Sequence, residues 1–204
     1  TNGSDHPVVG FAHGASGVAY ALYRLSERIG AKTWIIESIH HALAFERRML
    51  DKDKGIWKSI WNGKETPLIH GWCNGPAGIG LSRLELLRSD LPLNKDDLLE
   101  DIDIAYNFLA ENYTGLHHLC CGEASVILFL LECTNLDSKR YPCSAADAHV
   151  AKLLEHYDEH GWLRLQDLNT RPIVPGFLDG FSGIGFTLAR YCQTPMPFNP
   201  LLLR

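Results

Sequence analysis

The sequence predicts an all-α fold in which inner and outer helices alternate as a double-layered toroid or solenoid. Three observations predict it. One glycine motif recurs four times, each copy opens an apolar stretch with helical spacing, and longer, more polar helical segments lie between the copies. The copies are Gly14-Ala-Ser-Gly17-Val-Ala, Gly75-Pro-Ala-Gly78-Ile-Gly, Gly122-Glu-Ala-Ser125-Val-Ile and Gly180-Phe-Ser-Gly183-Ile-Gly. Glycine at a helix start lets neighbouring backbones approach closely, which suits an inner layer. Inner and outer helices repeating in this order stack side by side rather than forming a bundle.

In chain order, the first inner helix carries Val18, Leu22, Leu25 and Ile29 at helical steps. The outer segment 34–49 follows, with Ile36, Ile39 and Leu43 on one face and Arg47 and Arg48 near its end. Gly55-Ile56-Trp57 is an aromatic connector expected to form a brief strand. The second inner helix has Leu81, Leu84 and Leu87 and ends near Asp90 and Pro92. Segment 95–113 starts with Asp96 and Asp97 and buries Leu98, Ile102, Tyr106 and Leu109. The third copy opens onto 126–131, apolar all round, as suits a helix buried on every side. Segment 144–157, presenting Ala148, Leu153 and Leu154, is the third outer helix, and 161–165 is a second connector. No interior linker divides the chain, so 1–204 reads as a single domain.

Of the 204 residues, 46% are hydrophobic and 21% charged, enough for a packed core and incompatible with disorder as the main state. A net charge of −5 with no Lys/Arg block argues against nucleic-acid or membrane-surface binding. The apolar run 126–131 falls far short of the ~20 residues that span a bilayer. Six cysteines are too few for a disulfide scaffold, and with no secretory signal visible the expectation is reduced thiols in a cytoplasmic protein.

If the inner helices all point one way, their N-termini gather at one pole. His13, Cys73-Asn74, Cys120-Cys121 and Asp179 then meet there, beside helix ends whose partial positive charge favours thiolates. Three thiolates suit Zn²⁺ with a fourth position open. Such a site is already net −1, a poor Lewis acid for water and better suited to holding an incoming thiol. The competing reading makes the cysteines inert small hydrophobes, His13 a packing residue and Asp179 a helix N-cap. His117 and His118 either hydrogen-bond to the cysteines or are exposed loop residues. Cys133, Cys143 and Cys192 read as structural, and His40, His41, His149, His156 and His160 as residues of polar helix faces.

Gly10-Phe-Ala-His13-Gly14-x-x-Gly17, Trp72-Cys73-x-Gly75-x-x-Gly78 and Leu119-Cys120-Cys121-Gly122 resemble the lanthionine synthetase C-like superfamily. They look most like the C-terminal cyclase domain of class II lanthipeptide synthetases, because Cys-Cys-Gly stands where other branches have Cys-His-Gly. The resemblance runs from about Gly10 to Ala189 and takes in the stretch from Glu46 to Trp57. It implies an α,α-toroid, here a C-terminal portion with about four of seven inner helices, and a Zn²⁺ ion held by Cys73, Cys120 and Cys121. The implied reaction is addition of a peptide cysteine thiol to dehydroalanine or dehydrobutyrine, closing a thioether ring. His13 matches the family's active-site histidine, with proton transfer as its role. Asn74 stands where the family often has His or Tyr, and is the second candidate catalytic residue. Ile69 occupies the place of a family arginine, for which His70 or Lys64 are the nearby substitutes, and Ser125 replaces a glycine. An acidic residue that the family places before the His-Gly motif has no counterpart.

The resemblance further implies a larger synthetase, whose remaining cyclase and dehydratase segments and dehydrated precursor peptide are the expected partners. Apolar edges are expected where further repeats pack. The rival reading is a non-catalytic fragment that holds zinc and binds peptides or glutathione-like thiols. An α/α-barrel glycosidase ranks last, since it needs two facing carboxylates and only Asp179 lies at the pole.

Overall fold

Glycines 14, 75, 122 and 180 each stand immediately before a helix in the computed structural model, which describes residues 8–51, 53–58, 60–61, 64–65, 70–165, 174–192 and 199–202. Along the chain these residues form α1 (Ala15–Ile29), α2 (Thr33–Arg48), β1 (Leu50–Asp51), β2 (Ile56–Trp57), β3 (Ile60–Trp61) and β4 (Lys64–Glu65). They continue through α3 (Pro76–Arg88), α4 (Lys95–Glu111), α5 (Glu123–Leu136), α6 (Ser144–His160) and α7 (Phe181–Cys192). The strands form two antiparallel pairs, β1 with β2 and β3 with β4, pairing Leu50 with Trp57 and Ile60 with Glu65.

Helices α1, α3, α5 and α7 pack in succession, while α2, α4 and α6 lie against α1, α3 and α5 respectively. This is the double-layered order of an α,α-toroid, seen here as an arc of four inner helices. The middle of the arc is its driest part, with α5 buried continuously from Glu123 to Cys133. At Gly80 in α3 the missing side chain makes room for the Phe129 ring of α5, so two inner helices close up there. Ile79, Leu81, Leu84, Ile127 and Leu130 belong to the main core; Ala19, Ile35, Ile39 and Leu86 form a second cluster beneath α2.

Two buried ionic clusters tie repeat to repeat. Arg83 of α3 is paired with Glu46 of α2 (2.8 Å) and Asp101 of α4 (2.9 Å). Glu132 of α5 accepts from Arg190 of α7 (2.5 Å) and from Asn199 (3.1 Å). The chain returns across the inner helices at 199–202, where Leu201 and Leu202 are buried and the Leu202 carbonyl accepts from the Tyr20 hydroxyl (2.6 Å).

Several local expectations need correction. In α1 the stripe of Val18, Leu25 and Ile29 is exposed (55%, 37% and 48%), and Ser16, Ala19, Tyr20 and Ser26 are buried instead. Among the described residues α1 has an inner helix, α3, on one side alone, which it meets at Ser16, whose carbonyl accepts from the Ser82 hydroxyl (3.0 Å). In α6, Ala148 and Leu154 are exposed while Ala146, His149, Val150 and Leu153 turn inward. The connector at 161–165 contains no strand. Helix α7 starts at Phe181, which puts Gly180 in the cap position and Asp179 outside it. No helix among the described residues is long and apolar enough to cross a membrane.

Candidate metal centre

The turns before the four inner helices are built alike, and their likeness creates the site. In three of them the first helical N–H reaches back seven residues: Ala15 to Val8 (3.0 Å), Glu123 to Leu116 (2.8 Å) and Phe181 to Val174 (2.9 Å). The second begins with Pro76, which has no N–H, and there Ala77 bonds to His70 (3.2 Å). Adjacent turns are then laddered together. Ala12 N–H donates to the Cys73 carbonyl (2.9 Å), Cys73 N–H to Cys120 (3.1 Å) and Cys120 N–H to Leu178 (2.9 Å). Each of these four residues lies two places before its motif glycine, so the ladder joins equivalent points of successive repeats. His13, Asn74, Cys121 and Asp179 form the next row of equivalents.

Close approach of the turns depends on glycine. A Cβ at Gly71 would overlap the backbone of Cys121, and one at Gly10 the backbone of Asn74. Gly10 also has φ +100°, which L side chains rarely adopt.

The ladder brings three sulfurs together. Cys73, Cys120 and Cys121 offer Sγ atoms all within 4.8 Å of one another, the one such group of three or more metal-ligating side chains among the described residues. Cys73 Sγ lies 2.8 Å from Cys121 Sγ, which lies 3.5 Å from Cys120 Sγ. Around a tetrahedral ion with bonds of ~2.3 Å the sulfurs stand ~3.8 Å apart, so Cys73 and Cys121 need to part by only about an ångström. Residue types, number and convergence all fit a thiophilic divalent ion such as Zn²⁺.

The cluster's acidity is shared unevenly. Hydrogen bonds from the Cys120 and Cys121 thiols, outweighing burial, bring Cys73 down to about 4. Cys121 is pushed far up by its bonds to Cys120 and Cys73 and by burial. At Cys120 the Cys121 bond lowers the value, but the Cys73 bond, burial and the Cys73 charge raise it overall. The three thiols titrate as a coupled group, and a cation among them would draw off the protons that the raised members hold.

The surroundings sharpen some expectations and correct others. His13 is exposed at the pole. The Asn74 side-chain oxygen is buried with no hydrogen-bond partner, a waiting acceptor in the row between His13 and Cys121. His118 is buried, accepts from the Cys121 N–H (3.4 Å) and lies 3.7 Å from the exposed Asp179 carboxylate. His117 is buried too, accepting from Arg164 N–H at Nδ1 (2.8 Å) with Nε2 against the Tyr113 hydroxyl (2.9 Å). Burial, with help from His156 and Arg164, lowers it to about 4. Burial likewise lowers His70, so that it is neutral near pH 7 and supplies no arginine-like charge. Lys64 is exposed on β4, and Ile69 lies outside the described residues. Cys133 is buried in α5, Cys143 stands just before α6 without a side-chain capping bond, and Cys192 is exposed at the end of α7.

Against this geometry stand the comparisons with known proteins. Residues 2–198 match the family described as lanthionine synthetase C-like protein. The chain belongs to that family. No curated protein matches it by sequence. Its fold is similar to that of nisin cyclase, with a TM-score of 0.64 and 21% identity over 97% of this chain and 50% of that one. This lanthionine synthetase C-like chain therefore spans half the length of that cyclase.

Within the lanthionine synthetase C-like fold, three supporting residues escaped sequence reasoning. Ser125, the serine in place of glycine, donates to the Gly122 carbonyl (2.9 Å) and accepts from Trp72 N–H (3.1 Å), tying the Cys73 turn to α5. Glu123 accepts from Thr114 N–H and bonds His149 Nδ1 (2.5 Å), bracing the turn that leads to Cys120. His149 is thus buried, not part of a polar face, with Nε2 on the Leu109 carbonyl (2.7 Å). The Ser125 substitution was visible in the motif; the His149 partner was not, because it lies 26 residues away.

Proposed function

We propose that this chain is the metal-bearing portion of a cyclase that closes thioether rings in a dehydrated precursor peptide. The observation that carries the reading is the convergence of the three Sγ atoms on one point at the helix-start pole. Cys73, Cys120 and Cys121 would hold Zn²⁺. Bound there, the ion would supply a positive charge that lowers the pKa of a peptide thiol.

The chain's own residues do the rest. The N-termini of α3 and α5 add partial positive charge beside the thiols. His13, exposed and tethered to the Cys73 turn through Ala12, takes the thiol proton at an imidazole nitrogen or returns one to the substrate. Asn74 offers an acceptor oxygen that orients an N–H or S–H group, since an amide moves no proton near pH 7. The reaction balances within the peptide. A C–S bond forms at Cβ of the dehydro residue, its π pair moves towards the neighbouring carbonyl, and the proton lost by sulfur is replaced at Cα.

Asn74, where the family often has His or Tyr, favours one rival, a zinc-holding module that binds peptide thiols without turnover. Zinc-loaded protein is incubated with a dehydrated peptide, and the remaining free thiols are counted by alkylation and mass spectrometry. The cyclase reading expects thiols to disappear without a change in peptide mass. It expects no closure with Cys121→Ala, and closure slowed about 10²-fold or more with His13→Ala. Bound zinc with undiminished free thiols supports the binding module instead.

A further inference from the structure

We propose that Glu46 is a positioning residue that acts through His13, holding the turn 10–16 in its working shape; the proposal rests on the reading of His13 as the proton-transfer group. The Glu46 side chain is fully buried and grips both ends of that turn. Oε1 accepts from Gly10 N–H (2.9 Å) and Ser16 N–H (3.1 Å), and Oε2 accepts from the Ser16 hydroxyl (2.6 Å). His13 lies midway between the two gripped residues.

The first turn also departs from its repeats at this point. In the second and third turns the N–H of Ala77 and Ala124, the equivalents of Ser16, bond seven residues back to His70 (3.2 Å) and His117 (3.3 Å). Ser16 N–H points instead to the Gly10 carbonyl (3.1 Å) and to Glu46. A side chain from the outer layer has replaced a backbone contact in the turn that carries the histidine.

Arg83 holds the carboxylate in place. Its Nη2 lies 2.8 Å from Oε2, its Nη1 donates to the Ser16 hydroxyl (3.1 Å) and its Nε is fixed by Asp101 (2.9 Å). Burying charges is costly, and a well-packed apolar replacement commonly gives equal stability, so such a cluster is better explained by the geometry it imposes. The far side of the turn has little room to move, since Gly10 backs onto Asn74 and Ala12 is bonded to Cys73. Loss of the Glu46 grip frees the Ser16 end of the turn while Gly10 and Ala12 stay against the Cys73 turn, so His13, between them, is expected to shift relative to the thiols.

The test uses the whole zinc-loaded chain with Glu46→Gln, Glu46→Asp, His13→Ala and the Gln/Ala double variant. Three quantities are read: zinc content, kcat and KM of ring closure, and NMR signals of the Gly10 and Ser16 amides and the His13 imidazole. Glu46→Gln is expected to keep one zinc per chain, lower kcat about 10–100-fold with little change in KM, and move all three sets of signals. In the His13→Ala background the same substitution is expected to cost less than about twofold, because its effect runs through His13. An equal loss in both backgrounds, or an unmoved His13 imidazole, would overturn the proposal. If Glu46→Gln does not fold, Glu46→Asp keeps the charge and decides by the same cycle. If the unsubstituted chain closes no rings, the cyclase reading fails on its own, and the NMR signals still decide whether Glu46 positions His13.

Discussion

Contacts among Cys73, Cys120 and Cys121 tie their ionisation together: the bonds within the cluster lower Cys73 and, with burial, raise Cys121, so without a cation the cluster keeps thiol protons. Metal uptake must displace those protons, so zinc affinity is expected to rise with pH across neutrality, about tenfold per unit for each proton released. Chelator competition at pH 6, 7 and 8 measures this; a flat profile would mean that the thiols are not the ligands. His117 shows the opposite use of burial. Its Nδ1 accepts from Arg164 N–H, so the folded state excludes the proton that the unfolded chain binds at the ordinary histidine value of 6.5. With the folded value lowered to about 4, its contribution is fully present above pH 6.5 and is lost as pH falls towards 4. Urea midpoints at pH 7.5 and 5.0 should therefore fall further for the unsubstituted chain than for His117→Asn. The thiols were legible in the sequence because each lies one or two residues before a motif glycine. The pairing of His149 with Glu123 was not, because it depends on how α6 lies on α5.

At the scale of elements, the glycines flanking the helix-start motif do two different jobs. Gly71 and Gly10 make space for a neighbouring turn, whereas Gly185 in α7 has nothing within 4 Å of its missing Cβ. Gly71→Ala must displace the Cys121 backbone; it is expected to cost about 1–3 kcal/mol and to weaken zinc binding as well. Gly185→Ala meets open space inside a helix and is expected to stabilise by about 0.5–1 kcal/mol. Denaturant titration of both variants checks the contrast, and similar effects would refute the distinction between the two sites. The order of inner and outer helices was readable from the repeat. The facing of α1 was not, because periodicity finds an apolar stripe without saying whether another helix lies against it. Val18, Leu25 and Ile29 make such a stripe on the exposed side of α1.

At the scale of the whole molecule, the arc is held by contacts that skip along it. The segment 199–202 links α1 to α5 through Tyr20 and Glu132 and buries Leu201 and Leu202. Ending the chain at 198 is expected to cost about 3–6 kcal/mol, from the two leucines alone, and to lower the unfolding midpoint accordingly. An unchanged midpoint would mean that the segment does not stabilise the fold. The single repeat pattern accounts for the architecture and, through the ladder Ala12–Cys73–Cys120–Leu178, for the place where the thiols meet. We propose that the sulfurs at this meeting point form a three-sulfur metal centre. Zinc-edge X-ray absorption on the loaded chain tests it most directly. Three sulfurs at about 2.3 Å, reduced to two in Cys121→Ser, is the predicted result; a shell dominated by nitrogen and oxygen, or one unchanged by that substitution, would contradict it.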